Sequence, residues 1–158
     1  MEIRCAFITV GEKYISKQMK DECGDILESA CNRMGWKLVE RHVLGDQESE
    51  IINWLITKSD QEKVNIIFTI DGIGSSRTHR VPEALYHVCE KWLPGVSEFI
   101  RFKISEKYPW IIFTRGQAGM RGKSVIINLP ASPGAIKDAL DLIKTQLRPF
   151  LEQVSEEN

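Results

Sequence analysis

Residues 69–77 read Thr-Ile-Asp-Gly-Ile-Gly-Ser-Ser-Arg and residues 128–134 read Asn-Leu-Pro-Ala-Ser-Pro-Gly. Each turn is fed by an apolar run and opens a helical pattern. Such turns present backbone N–H groups and hydroxyls to an anion, and the macrodipole of the following helix also favours negative charge. Two of them in one short chain point to a phosphorylated ligand held between two loops. Gly72, Ile73, Gly74, Ser75 and Ser76 line the first turn, and Ser132 and Pro133 the second. The first is neither a Walker A loop nor a Gly-x-Gly-x-x-Gly fingerprint, so an ordinary strand-to-helix connection competes with the anion site.

Charged residues around the turns have two readings each. Asp46 stands before a helical pattern, either as its cap or as a carboxylate for Mg²⁺. His79 is either a general base or a solvated turn residue. Arg115 and Arg121, set among Gly116, Gly119 and Gly122, either contact phosphate or are surface charges of a hairpin.

The elements that must position these residues alternate. Apolar, β-branched runs over residues 3–10, 37–44, 64–70, 110–114 and 124–129 predict strands. Helical spacing appears over residues 17–34, from Asp46 through Ile51, Ile52, Leu55 and Ile56, from Val81 through Trp92, over 97–104, and from Ser132 through Leu147. Pro94-Gly95 reads as a break, and Ser132 as an N-cap with Pro133 at the first helical position. Alternation of this kind predicts a three-layer α/β/α fold with a mostly parallel sheet, whose ligands bind beyond the carboxyl ends of the strands.

With 158 residues and 42% hydrophobic content, one core and one domain are expected, over residues 1–152, with a polar, frayed tail over 153–158. The 21 basic and 22 acidic residues nearly cancel and form no basic block, which argues against nucleic acid as a partner. Apolar runs are too short to span a bilayer, and four scattered cysteines suit reduced, buried thiols, so the cytoplasm is the expected location, without a membrane partner.

The chain resembles the MoaB/Mog family, the molybdopterin-binding domain of molybdenum-cofactor biosynthesis, over nearly its whole length. The residues that carry the resemblance fall in the family's order: Asp21 and Gly24; Thr69-Ile70-Asp71-Gly72-Ile73-Gly74; Val81-Pro82-Glu83-Ala84; Leu93-Pro94-Gly95 with Glu98 and Arg101; Thr114-Arg115; Arg121-Gly122-Lys123; and Asn128-Leu129-Pro130-Ala131-Ser132-Pro133. The resemblance implies a homotrimer or homohexamer that binds molybdopterin, acts beside other cofactor-biosynthesis proteins, and adenylylates molybdopterin with Mg²⁺-ATP. Asp46 then matches the first of two acidic catalytic positions, and His79 occupies the second. An imidazole is a poor Mg²⁺ ligand, so this exchange implies weakened activity, or a noncatalytic binding or scaffold protein, or a binder of another phosphorylated ligand.

Asp71 stands where the family has Gly. A carboxylate about 5 Å from a phosphate charge costs about 3 kcal/mol at an effective dielectric of about 20. Alternatively, Asp71 replaces the missing carboxylate and shares Mg²⁺ with Asp46. Ala131 likewise replaces a loop glycine, and Ile73 a threonine.

Overall fold

The computed structural model describes residues 1–157. Four strands, β1 (Arg4–Val10), β2 (Lys37–Leu44), β3 (Ile66–Ile70) and β6 (Ser124–Leu129), form the parallel part of a six-stranded sheet, with β2 at its edge. The short strands β5 (Ala118–Arg121) and β4 (Lys91–Trp92) extend one side antiparallel, giving the order β2-β1-β3-β6-β5-β4. The expected mostly parallel, three-layer α/β/α fold is therefore what forms.

Side-chain alternation along the central strands divides the core between the two faces of the sheet. Cys5, Phe7, Ile66, Phe68, Ile70, Val125 and Ile127 point into one cluster, under α2 (Glu22–Arg33), α5 (Pro94–Ser105) and α6 (Pro133–Glu156). Ala6, Ile8, Val10, Ile67 and Ile126 point into the other, under α3 (Glu48–Ile56) and α4 (Val81–Val88). A single-turn α1 (Glu12–Ile15) follows β1.

Several boundaries differ from the sequence pattern. The predicted helix over 17–34 begins only at Glu22, because Lys17 takes a left-handed φ of 62° and Asp21 caps α2 by accepting from the Gly24 N–H. Gln47, not Asp46, occupies the N-cap position of α3. Helix α4 ends at Val88, so Trp92 leaves its predicted helical face for strand β4. Pro94, read as a break, opens α5 at its first position. The predicted strand over 110–114 is a 3-10 turn, Pro109–Phe113, in which Ile111 is buried while Ile112 and Phe113 face outward. Helix α6 runs on through Glu156 with Val154 buried, so most of the predicted tail is helix, and Asn158 lies outside the described residues.

Candidate functional site

The chain leaves β1 towards β2 and returns to β3 on the other side, so the strand order reverses between β1 and β3. In open parallel sheets the ligand crevice lies there, beyond the carboxyl ends of the strands. The ends of β2, β1, β3 and β6 lead into Gly45-Asp46, Gly11-Glu12, Asp71-Gly72 and Pro130-Ala131. Backbone bonds tie these ends in pairs: Gly11 N–H donates to the Leu44 carbonyl at 2.9 Å, and Asp71 N–H to the Leu129 carbonyl at 3.2 Å.

The first turn needs its glycines. Gly72 has a φ of 73°, and a Cβ there would meet Val81 Cγ2 at 2.6 Å. A Cβ on Gly74 would meet His79 Nδ1 at 2.5 Å, so the imidazole lies directly on the loop backbone. That Nδ1 is buried without a hydrogen-bond partner.

Arg115 holds the turn together. Its Nε donates to the Gly74 carbonyl at 2.9 Å and one terminal nitrogen to the His79 carbonyl at 2.8 Å. The same fork reaches both carboxylate oxygens of Glu83, at 2.7 and 2.9 Å. This bond holds the Glu83 carboxyl below the usual carboxylate range. Four of its five N–H donors are directed at protein partners, which gives Arg115 a positioning role in the turn. Arg121 is also paired away from the turns, with Asp60 at 2.8 and 2.9 Å, on the β5–β6 hairpin.

Asp71 is locked as well. Its Oδ2 accepts from the Tyr14 hydroxyl at 2.7 Å and pairs with Lys13 Nζ at 3.0 Å, while Oδ1 accepts the Gly72 N–H at 2.8 Å. The residue holds a left-handed φ of 71°, where Asp is tolerated because its side chain bonds locally. Lys13 offsets the repulsion expected towards phosphate, but the carboxylate consumes one of the loop's amide donors. These protein donors compete with any metal for the Asp71 oxygens. Burial, and then the Asp71 hydrogen bond, push the Tyr14 hydroxyl far above its ordinary pKa.

Asp46 has an unexpected neighbour. Glu12 lies so close over Gly45 that a Cβ there would overlap its Oε1 at 2.1 Å. Burial and then the negative charge of Glu12 push the Asp46 carboxyl above its ordinary pKa, opposed by His79. Glu12 is absent from the sequence-derived candidates, although it directly follows a buried strand and Gly11, which is the signal that marks a sheet-edge residue.

Among the described residues no group of at least three His, Cys, Asp or Glu is arranged to hold a metal. Asp46 and Glu12 do suit a Mg²⁺ ion that arrives with phosphates, since that ion takes only one or two carboxylates from the protein.

Ser75 and Ser76 are exposed on the first turn, and Ser76 Oγ lies 3.1 Å from Thr78 Oγ1. Ile73 is buried. In the second turn Ser132 occupies the N-cap position and Pro133 the first position of α6, yet the Ser132 hydroxyl makes no capping bond. Its carbonyl accepts the Ile136 N–H at 2.8 Å, leaving the first-turn amides of Gly134 and Ala135 without an intrahelical partner.

A three-layer α/β/α domain with a clamped glycine turn and neighbouring carboxylates beyond the carboxyl ends of its parallel strands is the class the structure defines. Comparison narrows the class. Residues 6–153 match the family described as a probable molybdopterin binding domain, and the chain belongs to that family, among its MoaB/Mog members. Molybdopterin adenylyltransferase of Helicobacter pylori is 35% identical over 101 residues, 64% of this chain and 57% of that protein. The chain thus matches somewhat over half the length of that relative. Among solved structures, the molybdopterin biosynthesis enzyme MoaB of Thermus thermophilus superposes with a TM-score of 0.90 at 26% identity, covering 98% of both chains. The Mog protein of Mycobacterium ulcerans gives 0.89 at 29% identity, covering 96% of this chain and 99% of that one.

Proposed function

We propose that this chain binds molybdopterin and, with ATP, transfers an adenylyl group to its phosphate. In that reaction a molybdopterin phosphate oxygen attacks the α-phosphorus of ATP. A new P–O bond forms, the α–β P–O bond breaks, and pyrophosphate leaves with the electron pair. Family membership and the relatives' names support the substrates. The observation that carries the site is the closeness of Glu12 to Gly45 and Asp46 at the ends of β1 and β2, with Asp46 near enough to His79 and Asp71 of the first turn to feel their charges.

Asp46 and Glu12 would hold a Mg²⁺ ion, which supplies charge neutralisation at the transferring phosphate. The clamped turn would present its remaining amides to one phosphate, and the uncapped first turn of α6 with Ser132 would receive the other. His79 contributes shape beside Gly74 rather than a metal-binding oxygen, so turnover is expected to be slow. Phe99, Phe102, Trp110, Ile112 and Phe113 leave apolar surface on α5 and the following turn, which supports self-association as a trimer or hexamer. No helix among the described residues is long and apolar enough to cross a membrane.

Titration calorimetry with molybdopterin, with and without Mg²⁺-ATP, followed by mass analysis of the product, tests this reading. Adenylylated product that falls about a hundredfold in Asp46→Asn supports the enzyme. Binding without product supports the noncatalytic alternative, which the capture of the Gly72 N–H by Asp71 favours. No molybdopterin binding overturns both.

A further inference from the structure

Away from the glycine turn, Ser97 on α5 carries a hydroxyl that is buried and lacks any hydrogen-bond partner, in a residue only 6% exposed. Leaving such a group unpaired is costly, so an unpartnered hydroxyl marks a function or a missing guest. It lines a notch of about 10 Å³ beyond the carboxyl end of β6, walled by Ile73, Ile100, Ile111 and Pro130. That is room for about one heavy atom.

The notch adjoins a larger cleft. Arg101 and Thr114 line both it and an open space of about 690 Å³ that also takes in Tyr86, Trp92 and Gln117. Trp92 and Tyr86 stack, with ring centroids 6.2 Å apart and planes 30° apart, and give the cleft an aromatic wall. Arg80 and His87 face Glu48, and Arg115 is bound to Glu83. Arg101 is different. One terminal nitrogen donates to the Gly116 carbonyl, and among the described residues its other donors have no protein partner.

The geometry points to Ser97 and Arg101 as the reading head for the oxo edge of a fused heteroaromatic ring. A planar guanidinium with unspent donors and a buried hydroxyl ask for an acceptor atom. The narrow notch admits only the tip of a flat group, and the aromatic wall suits the body of a ring. A pterin in its oxo form carries such an edge. This assignment rests on the molybdopterin reading above and adds where the ring end lies and which residues recognise it.

Pterin without a phosphate (2-amino-4-oxopteridine), its 2,4-diamino counterpart and ATP are the probes, each titrated by fluorescence or calorimetry against the full chain. Wild type is expected to prefer the oxo ring over the diamino ring by about tenfold. Ser97→Ala should weaken pterin about tenfold and Arg101→Gln about thirtyfold, with the oxo preference lost and ATP affinity unchanged. Because the Ser97 hydroxyl has no structural partner, Ser97→Ala should leave the melting temperature of the ligand-free protein unchanged. Unchanged pterin affinity in both variants, or a melting temperature several degrees lower in Ser97→Ala, overturns this assignment while leaving the molybdopterin reading standing. Failure of the wild-type chain to bind either pterin or molybdopterin overturns both.

Discussion

The two turns that face the same sheet edge are held in opposite ways. The first is fixed by side chains from distant elements: Arg115 from beyond the 3-10 turn, Glu83 from α4, and Tyr14 and Lys13 from α1. The second has backbone bonds at its ends and no capping side chain at Ser132. A rigid turn sets its amides before the ligand arrives, at no ordering cost on binding. An uncapped turn keeps its donors free for whatever comes. The first turn also uses one of its amides internally, through Asp71, so it fixes position more than it gathers charge. The second must supply more of the anion contact.

Removing the clamp is the most damaging test of that contrast. In Arg115→Ala the Gly74 and His79 carbonyls lose their donor and Glu83 its partner. The Arg115 side chain is 40% exposed, so the ion pair is screened and the backbone bonds decide the cost. A loss of about 2 kcal/mol is expected, read as a melting temperature about 4–8 °C lower. Arg115→Lys should not restore it, since an ammonium cannot span the fork. Hydrogen exchange should speed at His79, Val81 and Arg115, whose amides bond within the first turn, and not at Ile136 in the second. Equal loosening of both turns would remove the distinction.

Acid should open the same clamp without mutation. Arg115 holds the Glu83 carboxyl below its ordinary pKa. A depressed carboxyl contributes stability above its unfolded value, and that contribution disappears as pH falls through the folded one. Protection at His79 and Arg115, taken relative to the intrinsic exchange rate at each pH, should therefore fall as pH drops below the ordinary carboxylate range, with Glu83→Gln already loosened at neutral pH and flat across the same range.

Asp71→Gly sharpens the comparison from the ligand side. Freeing the Gly72 N–H, removing a negative charge and releasing Lys13 should tighten ATP about tenfold. Stability should change by only about 1 kcal/mol, because relief of the left-handed backbone offsets much of the lost Tyr14 and Lys13 bonds. Weaker ATP binding in the variant would return Asp71 to the metal role that its engaged oxygens argue against.

Local chemistry was enough to read the elements that carry these turns. The short run between Gly35 and Gly45 gives β2 at Lys37–Leu44 as predicted, and Ser132-Pro133 marks the start of α6. The 3-10 turn at Pro109–Phe113 was not legible, because its β-branched and aromatic content is that of a strand and only tertiary packing shows that Ile111 alone is buried. For the site, residue type located the glycine turn and Asp46 but not their partners. Glu83 lies 32 residues from Arg115, and no spacing rule links them. Glu12 and Asp46 belong to different strand ends that only the parallel pairing of β1 and β2 brings together. The notch at Ser97 was equally silent, since an unpartnered hydroxyl is a property of packing.

The smallest expected effect falls on the second turn. A serine at an N-cap ordinarily contributes about 1 kcal/mol through its bond to the first-turn amides, and Ser132 makes no such bond. Ser132→Ala should therefore change stability by less than about 0.5 kcal/mol. If the second turn holds its donors in reserve, the same substitution should weaken molybdopterin phosphate binding about fivefold, the worth of one hydroxyl to a charged acceptor at a partly exposed site. A thermal melt and a binding titration on one preparation separate the two quantities. A melting temperature several degrees lower, with affinity unchanged, would mean that the Ser132 hydroxyl caps α6 in solution. The two turns would then be alike in being locked before the ligand arrives.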